Sequence, residues 1–172
     1  MPLTQTTVHL ADEEETARLG AALAHAIERQ RAAIEANGLV IGLTGDLGAG
    51  KTSLVRGVLR ALGVTGPVKS PTFALLEPYV VSSLDFYHFD FYRFADPDEF
   101  AAVGFRELFG AGSVCAIEWP ERAGDLPTPD LALTLRVEEP GRRVQIAAHS
   151  ELGVACLNDA IRRWETPTAA AG

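Results

Sequence analysis

Hydrophobic positions along the chain switch repeatedly between a period of two and a period near 3.6, which lays out alternating strands and helices. Thr6 to Leu10 is short and β-prone and predicts an edge strand. Leu19, Leu23, Ile27 and Ile34 share one face of a single long helix ending near Asn37-Gly38. Asp12 followed by Glu15 resembles a capping box, and the acids from Asp12 to Glu15 suit the positive end of the helix dipole. The apolar run Leu39 to Leu43 is the length of one buried strand. Leu54, Val55, Val58, Leu59 and Leu62 mark the next helix, with Gly63 at its end. Two prolines and a glycine make Val64 to Phe73 a loop. Phe73–Val81 and Leu84–Phe94, joined at Ser82-Ser83, predict an antiparallel hairpin. Alternation puts Phe86, His88, Asp90 and Tyr92 on one face of its second strand, and Tyr87, Phe89, Phe91 and Arg93 on the other.

Further on, Asp96 as cap and Pro97 at the first position predict a helix start, and Val103 to Phe109 a second short helix. Val114 to Glu118 is an apolar strand ending in an acid. Leu131–Glu138 and Arg143–Ala148, around Glu139-Pro140-Gly141, predict another hairpin. A last helix from Leu152 to Trp164 turns Leu152, Cys156 (or Ala155) and Ile161 inward. Residues 1–165 therefore read as one domain, and 166–172, rich in alanine, as a loose tail.

Composition narrows the partners. The chain has 172 residues, 47% of them hydrophobic, enough for one sizeable core. A net charge of -8 argues against gripping nucleic acid through the chain's own field. Lys69, Arg142, Arg143, Arg162 and Arg163 could form a local basic patch but read as scattered surface charge. Cys115 and Cys156 lack a Cys-x-x-Cys spacing and read as buried thiols of a reducing compartment. The first residues carry no basic and apolar leader pattern, and no apolar run approaches 18 residues, so a soluble cytoplasmic protein without membrane association is expected.

The chemistry is concentrated at Gly45 to Thr52, GDLGAGKT, which satisfies the phosphate-loop pattern G-x-x-x-x-G-K-[ST] between a strand and a helix. Glycines let backbone N–H groups approach phosphate oxygens, and the helix N-terminus adds donors and a positive dipole end. Lys51 is expected to reach the β- and γ-phosphates and Thr52 to ligate Mg²⁺. Glu118, at the end of its strand, has the position from which a carboxylate holds that metal directly or through water. Asp90 stands among aromatic residues, where a metal, a lysine or a nucleophilic water would explain an acid. Ser70 and Thr72 lie where phosphate-loop proteins sense the γ-phosphate and metal. The expected architecture is α/β, a three-layer P-loop NTPase-like fold whose mixed parallel and antiparallel sheet is flanked by helices.

Four stretches together resemble the TsaE family, formerly YjeE: GDLGAGKTSLVRG from Gly45, VKSPTFALLEPY from Val68, YHFDFYR from Tyr87 and IEWPER from Ile117. The resemblance runs from about Asp12 to Val144. It implies an ATPase with ATP and Mg²⁺, slow alone, that supports threonylcarbamoyl transfer to the adenosine beside the anticodon of tRNAs reading ANN codons. The implied partners are the TsaB and TsaD proteins, with tRNA met only through that complex. On this resemblance Asp46, Leu47, Gly48, Ala49, Gly50, Lys51 and Thr52 wrap the phosphates, and Thr52 and Glu118 are the Mg²⁺ ligands. Lys51, Asp90 and Glu118 form the catalytic set, with Asp90 positioning metal or water. Glu13 and Arg142 fall on the base and sugar side of the nucleotide, and Trp119 close to it. An arginine finger could come from Arg56, Arg93 or a partner.

Two other classes stay open at this point. One is a nucleotide-dependent binding module in which hydrolysis is incidental. The other is a small-molecule kinase, which needs a lid and a second basic cluster that the chain lacks.

Overall fold

The structure, a computed structural model, describes residues 1–166. Its seven strands form one mixed sheet. In chain order they are β1 (Thr4–Leu10), β2 (Leu39–Thr44), β3 (Leu76–Val81), β4 (Leu84–Asp90), β5 (Ser113–Glu118), β6 (Leu131–Val137) and β7 (Arg142–Ala148). Across the sheet the order is β1-β7-β6-β2-β5-β4-β3. β2 lies at the centre and runs parallel to both β5 and β6, and β4 is parallel to β5. The remaining neighbours are antiparallel. Pro78 sits on β3, at the sheet's edge, where a missing N–H disrupts no inner ladder.

The helices are α1 (Glu13–Arg29), α2 (Arg31–Asn37), α3 (Lys51–Ala61), α4 (Glu99–Ala102) and α5 (Glu151–Glu165). α1, α3 and α5 bury their apolar faces against one side of the sheet, with Leu19, Ile27, Leu54, Leu59, Phe86 and Ile146 in that core. α1 and α3 cross at Gly20 and Gly57. A Cβ on Gly20 would stand 2.7 Å from the Gly57 carbonyl carbon, closer than packed atoms approach. The opposite side of the sheet carries Phe89, Cys115 and Ile117. These are covered by Phe91 and Phe94 just beyond β4, by Phe100 on α4, and by Phe105 of a 3₁₀ turn at Phe105–Leu108. The result is the expected three-layer α/β fold, with one layer thin and aromatic.

Five local expectations are corrected. The long first helix is two, because Gln30 leaves helical geometry and sends its amide to Asp159 on α5. β3 begins at Leu76, since a turn closed by Leu75 N–H to Pro71 C=O occupies the preceding residues. β4 stops at Asp90, whose carboxylate accepts from the Tyr92 N–H and turns the chain out of the sheet. The helix after Pro97 starts at Glu99 with Asp98 as its cap residue, and the Glu99 carboxylate accepts from the N–H groups of Ala95 and Asp96. On α5 Cys156 is buried as expected, but its buried neighbours are Gly153, Leu157 and Ala160, while Leu152 and Ile161 pack at the edge of the core and Ser150 caps the helix through Gly153 N–H. Thr166 still bonds to Arg162 C=O at the end of α5. The rest of the expected tail, residues 167–172, lies outside the described residues.

Candidate functional site

The carboxyl ends of β2, β5 and β4 lie side by side, so Leu43, Glu118 and Asp90 are register neighbours across three parallel strands. Such strand ends are where open α/β sheets hold ligands. The loop Gly45 to Gly50 leaves β2 there and enters α3. Gly50 caps α3 with φ 105°, a conformation other residues resist, and a Cβ on it would overlap the Arg142 guanidinium. Lys51 opens the helix and is only 5% exposed. Its ammonium donates to the carbonyls of Gly45 and Asp46 and lies 4.2 Å from the centre of the Trp119 ring. Burial pushes its pKa below the ordinary lysine value, against the opposing pull of Glu118, Glu121, Asp90 and Asp46.

Two carboxylates face this loop, and each is already held. The Thr52 hydroxyl contacts both oxygens of Glu118, at 3.0 and 2.9 Å. Glu118 is 3% exposed, and its Oε2 is 2.6 Å from His88 Nε2. Asp90, also 3% exposed, accepts from the hydroxyls of Ser70 and Thr72 and, at 2.8 Å, from Tyr92 N–H. The aromatic surroundings suggested by the sequence are thus replaced, at the carboxylate itself, by two hydroxyls and an amide. These bonds also fasten the Val68-to-Leu75 segment to β4. Its near end is held by Arg56 on α3, which donates to Val68 C=O through Nε and Nη2. At its far end Leu75, with φ 68°, accepts from Asp90 N–H.

The loop opens on a pocket of about 270 Å³. Arg142, the first residue of β7, reaches its wall with Nη2 2.5 Å from Glu13 Oε1, so the two residues expected on the base and sugar side are brought together. Arg142 Nη1 is buried without a hydrogen-bond partner beside Gly50. Leu47, Gly48, Ala49, Gly50, Lys51, Thr52, Asp90 and Glu118 all border the pocket. Asp46 differs: its carbonyl braces Lys51 while the residue itself is exposed, outside the pocket lining.

Trp119 borders the pocket in a left-handed conformation, φ 58°, and tilts against Tyr92 with ring centres 5.0 Å apart. The Arg122 guanidinium lies over both rings. Of the two arginines considered for catalysis, Arg56 is engaged at Val68 C=O and Arg93 lies 3.9 Å from the Phe73 ring centre. Sequence reasoning missed His88, although the period of two already set it on Asp90's face. It also missed Tyr92 as a pocket residue, although the same alternation set it on Asp90's face. For Arg122 the pattern held no signal.

Chemically, the site joins an electropositive cradle to a pair of oriented carboxylates. The cradle consists of loop amides, the helix N-terminus, Lys51 and the unmatched N–H of Arg142. Such an arrangement suits the phosphates of a nucleotide.

Comparison with known proteins supplies the family. The family model described as threonylcarbamoyl adenosine biosynthesis protein TsaE matches residues 10–145. A Haemophilus influenzae protein named tRNA threonylcarbamoyladenosine biosynthesis protein TsaE is 43% identical over 116 residues, 67% of this chain and 73% of that protein. A Nostoc protein of the same name is 36% identical over 143 residues, 80% of this chain and 82% of that one. The crystal structure of Bacillus subtilis YdiB aligns with a TM-score of 0.70 at 27% identity, over 92% of this chain and 95% of that one. With a match that spans the sheet from the end of β1 into β7 and takes in the whole phosphate site, the chain belongs to the TsaE family.

Proposed function

We propose that this protein is a Mg²⁺-dependent ATPase that supports threonylcarbamoyladenosine formation on tRNA, working with TsaB and TsaD. The observation that carries the ATPase reading is the pairing of two held carboxylates, Glu118 with Thr52 and Asp90 with Ser70 and Thr72, at the mouth of one phosphate loop. The biosynthetic role rests on the family.

ATP fits the residues present. Its phosphates would take the place of the Gly45 and Asp46 carbonyls as partners of Lys51, and would satisfy Arg142 Nη1, which has none. Among the described residues no three His, Cys, Asp or Glu side chains converge as a metal site. Mg²⁺ takes most of its ligands from phosphate oxygens and water and few from protein. Thr52 and Glu118 are the residues that would hold it, and once bound it would neutralise charge building on the β- and γ-oxygens. Lys51 supplies a fixed positive charge to the same oxygens. Asp90 orients the attacking water, and its link to Ser70 and Thr72 ties that water to the Val68-to-Leu75 segment. The -8 charge agrees with tRNA being met through partners.

Lys51→Ala tests the assignment. Loss of one charge-stabilising donor lowers ATP turnover by roughly 10²–10³. Undiminished turnover sinks the ATPase reading. Reconstituted tRNA modification with TsaB and TsaD, run in ATP and in a non-hydrolysable analogue, tests the biological role. One observation favours a second reading, a nucleotide-gated binding module: Phe73, 83% exposed, stands on the segment tied to Asp90. Modification sustained by the analogue through repeated turnovers would support it.

A further inference from the structure

His88 has no role in the reading above, yet nothing about its position suits a filler. It is fully buried on β4, on the face of the strand that also carries Phe86. Phenylalanine would fill such a place without burying ring nitrogens. Its Nε2 lies 2.6 Å from Glu118 Oε2, and its Nδ1 is buried with no hydrogen-bond partner. That unmatched nitrogen decides where the proton sits. With the proton on Nδ1, that N–H would be a donor buried without an acceptor and Nε2 would turn its lone pair on the Glu118 carboxylate. A proton on Nε2 points at a carboxylate. His88 therefore donates from Nε2 to Glu118.

The register explains why the reach works. His88 pairs with Ala116, and Glu118 lies two residues along on the same face. Ala116 has no bulk to hold the imidazole away from the acid. Glu118 Oε2 thus takes a bond from β4 besides its Thr52 contact, while Oε1 carries only the Thr52 contact.

We propose that His88 is a positioning residue for the metal site: it locks the Glu118 carboxylate so that Oε1 and the Thr52 hydroxyl are presented together to Mg²⁺. This rests on the magnesium reading of the site. Partners behind metal-holding side chains commonly change metal affinity by about 10–100-fold when removed.

The test separates metal from nucleotide. A fluorescent ADP analogue is titrated onto the full chain in EDTA and then across a Mg²⁺ series. Wild type is compared with His88→Phe, which keeps the ring and removes the donor, and His88→Gln, whose amide can reach the Nε2 position. His88→Phe should weaken the apparent Mg²⁺ affinity by about tenfold or more and leave the EDTA affinity within about twofold. His88→Gln should recover most of the loss. An unchanged Mg²⁺ response in His88→Phe overturns the proposal, as does an equal fall in EDTA and in Mg²⁺, which marks a merely structural role. Should His88→Phe not fold, ¹⁵N NMR of the wild-type imidazole decides: a proton on Nε2 alone supports the assignment, and a proton on Nδ1 overturns it. A wild type that ignores Mg²⁺ overturns the magnesium reading together with this one, whereas a Mg²⁺-responsive wild type with an unaffected His88→Phe removes only His88's part.

Discussion

Asp90→Asn separates what the site holds from what it does. Asp90 accepts three hydrogen bonds, from Ser70, Thr72 and Tyr92 N–H. The carboxamide keeps the shape. Its oxygen still accepts from Tyr92 N–H, while the new NH₂ faces two hydroxyls that can rotate to accept. All three charge-assisted bonds become neutral ones, a loss of about 1 kcal/mol each, or about 3 kcal/mol together. In a domain of this size that lowers Tm by about 6–12 °C. The phosphate loop, Lys51 and Arg142 are untouched, so ATP affinity stays within about threefold of wild type, since one tenfold step would need about 1.4 kcal/mol. Turnover should fall by about 10²–10⁴, the range for removing a group that handles the attacking water's proton. Calorimetry, equilibrium binding of a fluorescent nucleotide and a phosphate-release assay read the three quantities on one preparation. Turnover within about threefold of wild type refutes the role given to Asp90. So does a binding loss equal to the turnover loss, because Asp90 would then be holding nucleotide, not water.

Other outcomes follow from the same geometry. Gly20→Ala should cost a net 2 kcal/mol or about 4–8 °C in Tm: near 3 kcal/mol of overpacking against backbone atoms at 2.7 Å, less about 1 kcal/mol of helix propensity. An unchanged Tm would mean that α1 and α3 do not meet at that residue. Burial pushes the thiols of Cys115 and Cys156 up to about 12 from 9.0, so neither should react with iodoacetamide at pH 8 until the chain unfolds. The sign of the linked effect is fixed: these thiols stay protonated in the folded state while the unfolded chain releases protons above pH 9.0. Stability should therefore decline between pH 9 and 12, by about 1.4 kcal/mol per unit for each thiol, as measured by denaturant midpoints. Lys51 works as its protonated form, and burial lowers its pKa, so kcat/KM for ATP should lose its alkaline limb below pH 10.5. A limb at or above that value contradicts the buried ammonium.

The phosphate loop was legible because its requirements are local: glycines, a lysine and a hydroxyl at fixed spacing between one strand and one helix. Glu118 was legible as a strand-end acid, and Asp90 as an acid among aromatic residues inside a longer expected strand. That they are adjacent was not, since adjacency depends on β4 and β5 being parallel neighbours, a long-range pairing. Glu13 and Arg142 meet across 129 residues, and the family resemblance, not spacing, placed them at the site. The errors cluster where a side chain overrides a periodic pattern. Asp90 bonding Tyr92 N–H ended β4 four residues before the hydrophobic run did. Gln30 interrupts a helix with no glycine or proline to announce it. Polar side chains that redirect the backbone act through geometry that hydrophobic periodicity does not encode.

Arg56's grip on Val68 sets a length. With Val68 fastened to α3 and Leu75 fastened to β4, only six residues, Lys69 to Ala74, lie between the anchors. Fully drawn out they span about 20 Å of contour, and a leash clipped at both ends carries its middle no more than about half that. Phe73 is therefore confined to a small arc beside Ser70 and Thr72 at the pocket's edge. Any protein that monitors this segment must come close to the phosphate site to do so, and its footprint on the surface is bounded by the chain's own tether.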